Sequence, residues 1–223
     1  MAAPQEITIE NLNGHWVLNK DLTSEADPIL KLQKVPWLIR KAFGFATIYL
    51  QISQYQTPAS ETSQQSTNID FTQTATAGLA GTKEERVLDW KVSDHEDYFF
   101  GQVQGQSEFV HGVVSADGII RPEFELQTAN ANEDITKYLR GEIEMDGRKS
   151  AGFIVEDWSG MSEIGPGLWV HTFERNVKLG WTAEQIWGFE RFGDSRYFSR
   201  RVVVMTTKGK YMCGRMVFDF VDT

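Results

Sequence analysis

Alternation of bulky and polar residues recurs in ten stretches of this chain, and no other feature narrows its fold as far. The stretches are residues 16–20, 47–55, 67–76, 84–93, 98–110, 153–158, 168–177, 184–192, 195–206 and 210–221. Each sets β-branched or aromatic side chains against polar ones with a period of two, which gives a strand one buried and one wet face. Gly193-Asp194 and Lys208-Gly209 mark turns between them. About ten strands with mostly short connections predict an antiparallel meander closed into a barrel, and a sandwich fits the spacing almost as well. Residues 56–67, crowded with Gln, Ser and Thr around Pro58, read as a loop joining two strands. Helical signals interrupt the pattern once, over 27–46. Asp27 is placed to cap a helix with Pro28 at its first position, and Ile29, Leu30 and Leu32 form one apolar face. Pro36 breaks the run, and Trp37, Leu38, Arg40, Lys41 and Phe43 begin a second short helix that ends near Gly44. A weaker helical signal lies at 132–140.

Composition bounds what such a barrel does. The 223 residues suit one domain spanning 1–223, and 41% hydrophobic residues are enough for a core. No run approaches the roughly 20 apolar residues of a spanning helix, and residues 1–12 do not read as a secretion signal. The net charge of −9 has the wrong sign for nucleic acid or an anionic membrane. One cysteine, Cys213, allows no intrachain disulfide, which suits a reducing, cytoplasmic setting. His15, His95, His111 and His171 show no metal-ligand spacing, and no P-loop, dinucleotide turn or nucleophile elbow occurs. No metal and no cofactor are therefore expected. Asp94-His95-Glu96-Asp97 lies between two strand patterns and reads as a solvated hairpin turn.

Seven Trp, six Tyr and fourteen Phe are the informative excess. Alternation puts Trp169, His171, Phe173 and Arg175 on one face, and Gln185, Trp187 and Phe189 on another. It likewise groups Thr47, Tyr49, Gln51 and Ser53; Arg86, Leu88 and Trp90; Tyr197, Ser199, Arg201 and Val203; and Cys213, Arg215 and Val217. Taken as inward faces, these make an aromatic lumen with a few polar groups, suited to a large apolar guest with one oxygenated end. A one-residue error would turn any of these faces outward. Trp16 reads as closing one end of the barrel.

Gly14-His15-Trp16 resembles the G-x-W signature of lipocalins and their calycin relatives, in which the Trp packs against a late basic residue; Arg200 or Arg215 could serve here. Leu30, Leu32, Val35, Arg40-Lys41 and Gly44 are spaced like the helical lid of intracellular fatty-acid-binding proteins. A closer resemblance runs through the helix at 37–46, Thr72-Gln73-Thr74-Ala75-Thr76-Ala77-Gly78, Leu88-Asp89-Trp90 and Phe100-Gly101-Gln102-Val103-Gln104-Gly105. It continues through residues 180–190 and Arg200-Arg201-Val202-Val203-Val204, and fades over 107–167. The pattern resembles a fungal lipocalin-like family that includes the hetero-Diels-Alderases of tropolone sesquiterpenoid biosynthesis. That resemblance implies a calycin barrel with a short helix-turn-helix lid and a cofactor-free pericyclase of secondary metabolism. Its reaction would be addition of a tropolone o-quinone methide to a humulene-type terpene. In that reading His171 assists proton transfer, and Arg201 and Tyr49 bind the tropolone oxygens. Trp90, Trp169, Trp187 and Phe189 stack on the rings and terpene, with Phe173, Gln185 and Arg215 completing the pocket. The partner is a small lipophilic molecule, and the chain is a monomer or homodimer. A carrier for a lipophilic metabolite and a calycin dehydratase or isomerase are the competing functions.

Overall fold

The computed structural model describes residues 1–59, 65–76, 78–129 and 132–221. Strand β1 (Gly14–Leu18) is followed by helices α1 (Ala26–Leu32) and α2 (Trp37–Phe45). Strands β2 (Ile48–Thr57), β3 (Ser66–Ala75), β4 (Thr82–Val87), β5 (Ser93–Asp97), β6 (Gly101–Val114) and β7 (Ile120–Pro122) come next. Helices α3 (Glu133–Leu139) and α4 (Met161–Ile164) precede β8 (Leu168–Asn176), β9 (Trp181–Phe192), β10 (Ser195–Thr206) and β11 (Tyr211–Val221). Hydrogen bonds join the strands in the order β4-β3-β2-β1-β11-β10-β9-β8-β6-β5, with β7 paired to β6 off that path. Every pairing is antiparallel, and β1 pairs with both β2 and β11. The mainly β barrel of ten strands and the helix pair between its first two strands are thus as expected. The sheet does not close on itself by a ladder: β4 and β5 are its two edges, and they meet along a seam. Side chains and one loop bridge that seam, with Trp90 N–H donating to Ser107 O at 2.9 Å.

Several local expectations need correction. The run 84–93 is not one strand, because β4 ends at Val87 and β5 starts at Ser93. Asp94-His95-Glu96-Asp97 is therefore strand and not turn: β5 pairs His95 with Val103 and Asp97 with Gly101. Residues 153–158 form no strand, only the single bridge Phe153↔Glu190. Glu25, not Asp27, takes the cap position of α1, and Asp27 instead accepts from Arg40 Nε at 3.1 Å. Helix α3 follows its signal, with the Asn132 side chain accepting from Ile135 N–H at 3.1 Å. The loop expected at 56–67 is shortened from both sides by β2 and β3, and its centre, 60–64, lies outside the described residues.

Cross-strand partners share a face of the sheet, so the register identifies the lumen. At one end Trp16, Leu50, Ile52, Phe71, Trp187, Phe189, Phe198 and Phe218 pack with residues of the N-terminal segment such as Ile9 and Leu12. At the other, Val103, Trp181, Ala183, Val202 and Val204 meet Ile29 and Leu32 of α1. Gly214 is what lets α1 sit so close: a Cβ there would lie 2.3 Å from Ile29 Cδ1. The outer face of β8–β10 is also covered. Residues of 115–165 lie over it, and Ile135, Tyr138, Leu139 and Phe153 pack on Trp169, Ile186, Val203 and Met205.

Candidate active site

Between the two apolar ends of the lumen lies a polar belt. Register puts Phe71 opposite Glu84, Ile69 opposite Arg86, Ser107 opposite Thr172, Thr172 opposite Gln185, and Trp187 opposite Arg200. Arg86 binds Glu174 and Glu84 through Nη2 and donates to Ser107 Oγ through Nη1 at 3.1 Å. His95 Nε2 stands 3.8 Å from Glu84 Oε1. Arg200 lies 4.0 Å over the Trp187 ring, with Phe71, Phe198 and Phe218 at 4.8, 5.3 and 5.2 Å. Arg86 approaches the same indole at 5.4 Å. The indole donates to Gln185 Oε1 at 3.1 Å, which fixes its plane. Beside this belt, at the seam, is an open groove of about 130 Å³ lined by Glu84, Arg86, Ser93, His95, Gly105 and Ser107 together with outward residues such as Glu85 and Lys91.

Charge is concentrated here in an otherwise apolar interior. Burial raises the Glu84 carboxyl above its usual range, against the pull of Arg86, and the Glu174 carboxylate adds to the rise. For Arg86 burial opposes the charge, but the two carboxylates outweigh it and hold its pKa above the usual value. For Arg200 the same two carboxylates, Glu84 and Glu174, compensate too little. Burial and the neighbouring Arg86 push it down to about 9. Its Nε and Nη2, together with Arg86 Nε and Thr172 Oγ1, are buried without a hydrogen-bond partner among the described residues. Buried polar groups left unpaired cost about 1–3 kcal/mol each, so a set of them turned into one lumen from β4, β8 and β10 calls for an explanation.

Glu84, His95 and Glu174 are the group of His and acidic residues among the described residues close enough to share an ion, their ligand atoms lying within 4.8 Å of one another. Arg86 already stands between the two carboxylates, however, and supplies the positive charge a cation would bring.

The residues singled out from the sequence divide between the two sides of the sheet. Gln185, Trp187 and Phe189 face the lumen, Phe189 deep against Arg196 at 3.4 Å. Arg86 and Leu88 face inward as expected. Strands β2, β8, β10 and β11 are inverted relative to expectation, because Ile48, Leu50, Ile52, Val170, Thr172, Glu174, Phe198, Arg200, Met216 and Phe218 are the inward set. His171 is fully buried on the outer face, with Nε2 2.9 Å from Glu184 and Nδ1 3.3 Å from Glu108. It stacks on Trp90 at 4.7 Å, which places Trp90 outside the lumen too. Arg201 lies on the same side, bonded to Glu190, Ser150 and the carbonyls of Tyr138 and Ile143. Arg215 joins that network through Glu144 and Glu190. Trp169 is buried under Phe153, in room left by Gly167 and Gly188. Phe173 and Arg175 border an outer groove, and Tyr49 is 46% exposed on the outside of β2. Tyr49, His171 and Arg201 therefore do not converge. Trp16 contacts Phe198 and Phe220 rather than an arginine; Arg200 takes Trp187 instead.

Glu84, His95, Ser107, Thr172, Glu174 and Arg200 went unread as site residues. Glu84 had a signal, since it precedes the inward Arg86 by two positions and shares its face.

An antiparallel barrel of ten strands, with helices between the first two and a polar belt across an aromatic lumen, is a calycin-like architecture. No family model matches the chain. Two fungal proteins are similar to it along its whole length. Probable pericyclase scpY of Mollisia scopiformis is 26% identical over 220 residues, 99% of this chain and 95% of that protein. Pericyclase pydY of an Acremonium species is 25% identical over 222 residues, 99% of this chain and 97% of that one. Among solved structures, the REP1-NXSQ fatty acid transporter superposes with a TM-score of 0.47 at 10% identity, over 95% of this chain and 97% of that one. A Schistosoma mansoni fatty acid binding protein in complex with arachidonic acid gives 0.45 at 9%, over 94% and 96%. The resemblance carried by the sequence motifs thus recurs in fungal relatives named as pericyclases. No helix among the described residues is long and apolar enough to cross a membrane.

Proposed function

We propose that this chain is a pericyclase that folds an oxygenated lipophilic substrate inside the barrel and lowers its cycloaddition barrier without a cofactor. One observation carries the reading: the inward Arg200 guanidinium, with Nε and Nη2 buried and unpartnered among the described residues, held 4.0 Å over Trp187. A substrate carbonyl or tropolone oxygen would complete those bonds. Accepting them draws electron density from the conjugated system and lowers its acceptor orbital, so the interaction strengthens as the transition state forms. Trp187 offers a flat face for the ring, while Phe71, Phe198 and Phe218 hold the hydrocarbon. Confining both reacting π-systems in one lumen removes much of the entropic barrier, roughly 7–11 kcal/mol in ideal cases. Excluding water protects a reactive intermediate.

In its finer form the reading is a hetero-Diels-Alder addition of a tropolone o-quinone methide to a humulene-type terpene; an activated polyene is the other diene that suits the same groups. His171, Arg201 and Arg215 are positioning residues here, fastening the 115–165 segment to the outer wall that carries Trp187 and Arg200. The test is incubation with a hydroxymethyl tropolone and humulenol, and with a polyene ketone, scored for stereodefined adduct. Wild type is expected to give one stereoisomer, and Arg200→Met to lose about 100-fold in kcat/KM. Tight binding with unchanged substrates would instead identify a carrier.

A further inference from the structure

Arg200 accounts for only part of the unpaired polar surface of the lumen. Arg86 Nε and Thr172 Oγ1 are also buried without a partner among the described residues, and the reading above leaves both unused. Register turns the two inward, Arg86 opposite Ile69 and Thr172 between Ser107 on β6 and Gln185 on β9. Thr172 is wholly buried, and Arg86, Ser107 and Gln185 are nearly so. The neighbours of Thr172 already have partners: Ser107 Oγ accepts from Arg86 Nη1 at 3.1 Å, and Gln185 Oε1 accepts from the Trp187 indole at 3.1 Å. Val170 holds the preceding inward position on β8. A second valine would fill the place of Thr172 with nearly the same shape and no hydroxyl to satisfy.

Position separates Thr172 from Arg200. The residue of β10 in the row of Thr172 and Gln185 is Val202. Two strand spacings and two residues along β10 put the Thr172 and Arg200 Cα atoms about 12 Å apart. The Arg200 head also leans away from that row, over the rings of Phe198 and Phe218 at 5.3 and 5.2 Å. One oxygen atom cannot serve both residues.

We propose that Thr172, with Arg86 Nε, is a second binding site for the guest held at Arg200, and that this guest is a lipophile with two separate acceptor oxygens, such as two carbonyls on one hydrocarbon skeleton. This rests on the reading above and narrows its substrate class. Guanidinium nitrogens donate and cannot accept, and the Thr hydroxyl can donate, so both sites call for an acceptor. Glu84, Glu174 and Ser107 hold Arg86 through its Nη atoms and leave Nε to offer. Trp187 is close to both arginines, and a skeleton pinned at two points has fewer ways to fold over its face.

Calorimetric titration with a long-chain monoketone and with the diketone of the same skeleton tests the second site. Wild type should bind the diketone about tenfold more tightly, the worth of one hydrogen bond. Thr172→Val should lose that preference, Thr172→Ser should keep it, and Arg200→Met should weaken both probes. The free protein gives an independent readout: Thr172→Val should melt no lower than wild type, because the hydroxyl removed had no partner. Equal affinity of wild type for the two ketones, or a preference that survives in Thr172→Val, would overturn the second site and leave the Arg200 reading intact. If wild type binds neither probe, the Arg200 reading falls, and melting alone decides the hydroxyl. A lowered melting temperature of Thr172→Val would show it bonded within the fold and overturn the site, whereas an equal or higher one would show it free to bind.

Discussion

Arg200 and Arg201 adjoin in sequence and stand on opposite sides of the sheet. Arg201 is wholly buried and bonded to Glu190, Ser150 and two backbone carbonyls. Truncating it strands the Glu190 charge, and Arg201→Met should cost about 3–5 kcal/mol in a urea titration. Arg200 lacks such partners, so Arg200→Met should cost activity and little stability. His171 gives a pH test. Burial works against its charge, but the carboxylates of Glu108 and Glu184 outweigh it and raise its pKa above the usual 6.5. A raised pKa contributes stability that is complete below the unfolded value and is lost as pH climbs through the folded one. The urea midpoint should therefore fall as pH rises through neutrality and beyond, and His171→Phe should flatten that slope. The misplaced faces of β8 and β10 have the same origin, whereas on β2 buried and exposed residues alternate strictly and the apolar Ile48, Leu50 and Ile52 mark the inside. On β8 the residues from Leu168 to Phe173 are all buried, and β9 is buried almost throughout. With both faces covered, alternation has no polar side to mark the outside, so the sequence could not distinguish Arg200 from Arg201.

At the scale of the element, the lid and α3 were legible because their signals are local: two prolines and a short apolar face for one, an Asn cap for the other. Asn132→Ala should remove about 1 kcal/mol, visible as a lowered melting temperature. Strand β5 was not legible. Its Ser-Asp-His-Glu-Asp sequence has no β-branched or aromatic residue, and only pairing with β6 holds it extended. What sets β5 apart is its place at the edge, where charged residues are common. The same place gives it a single strand partner, as β4 has in β3. Hydrogen exchange should therefore be faster along β4 and β5 than along β9 and β10, which are paired on both sides. Trp90 lies in the link between β4 and β5. Its backbone is left-handed, with φ of 57°, a costly conformation for a bulky residue that leads the chain from one edge to the other.

At the scale of the molecule, ten alternating stretches sufficed to indicate a barrel, since one strand after another with short connections leaves few other arrangements. The covering of its outer wall was not visible, because Ile135, Tyr138, Leu139 and Phe153, which pack on the sheet, carry no signal of which surface they cover. Glu184 shows how that segment is held: it accepts from Gln127 N–H, Thr128 N–H and Thr128 Oγ1 at 2.9, 2.7 and 2.6 Å. Glu184→Gln should loosen this clamp, and proteolysis should then cut first within 115–165.

The two sheet edges also bear on how copies of the molecule meet. Register turns Glu84, Arg86 and His95 inward, so Lys83, Glu85, Asp94 and Glu96 point outward, and all four are exposed. An unpaired strand is a template for the edge of another molecule, and outward charges are a common defence. Replacing Glu85, Asp94 and Glu96 together with Thr should leave the circular dichroism spectrum unchanged while light scattering reveals dimers and larger aggregates. The seam between the two edges would then become a joint between molecules.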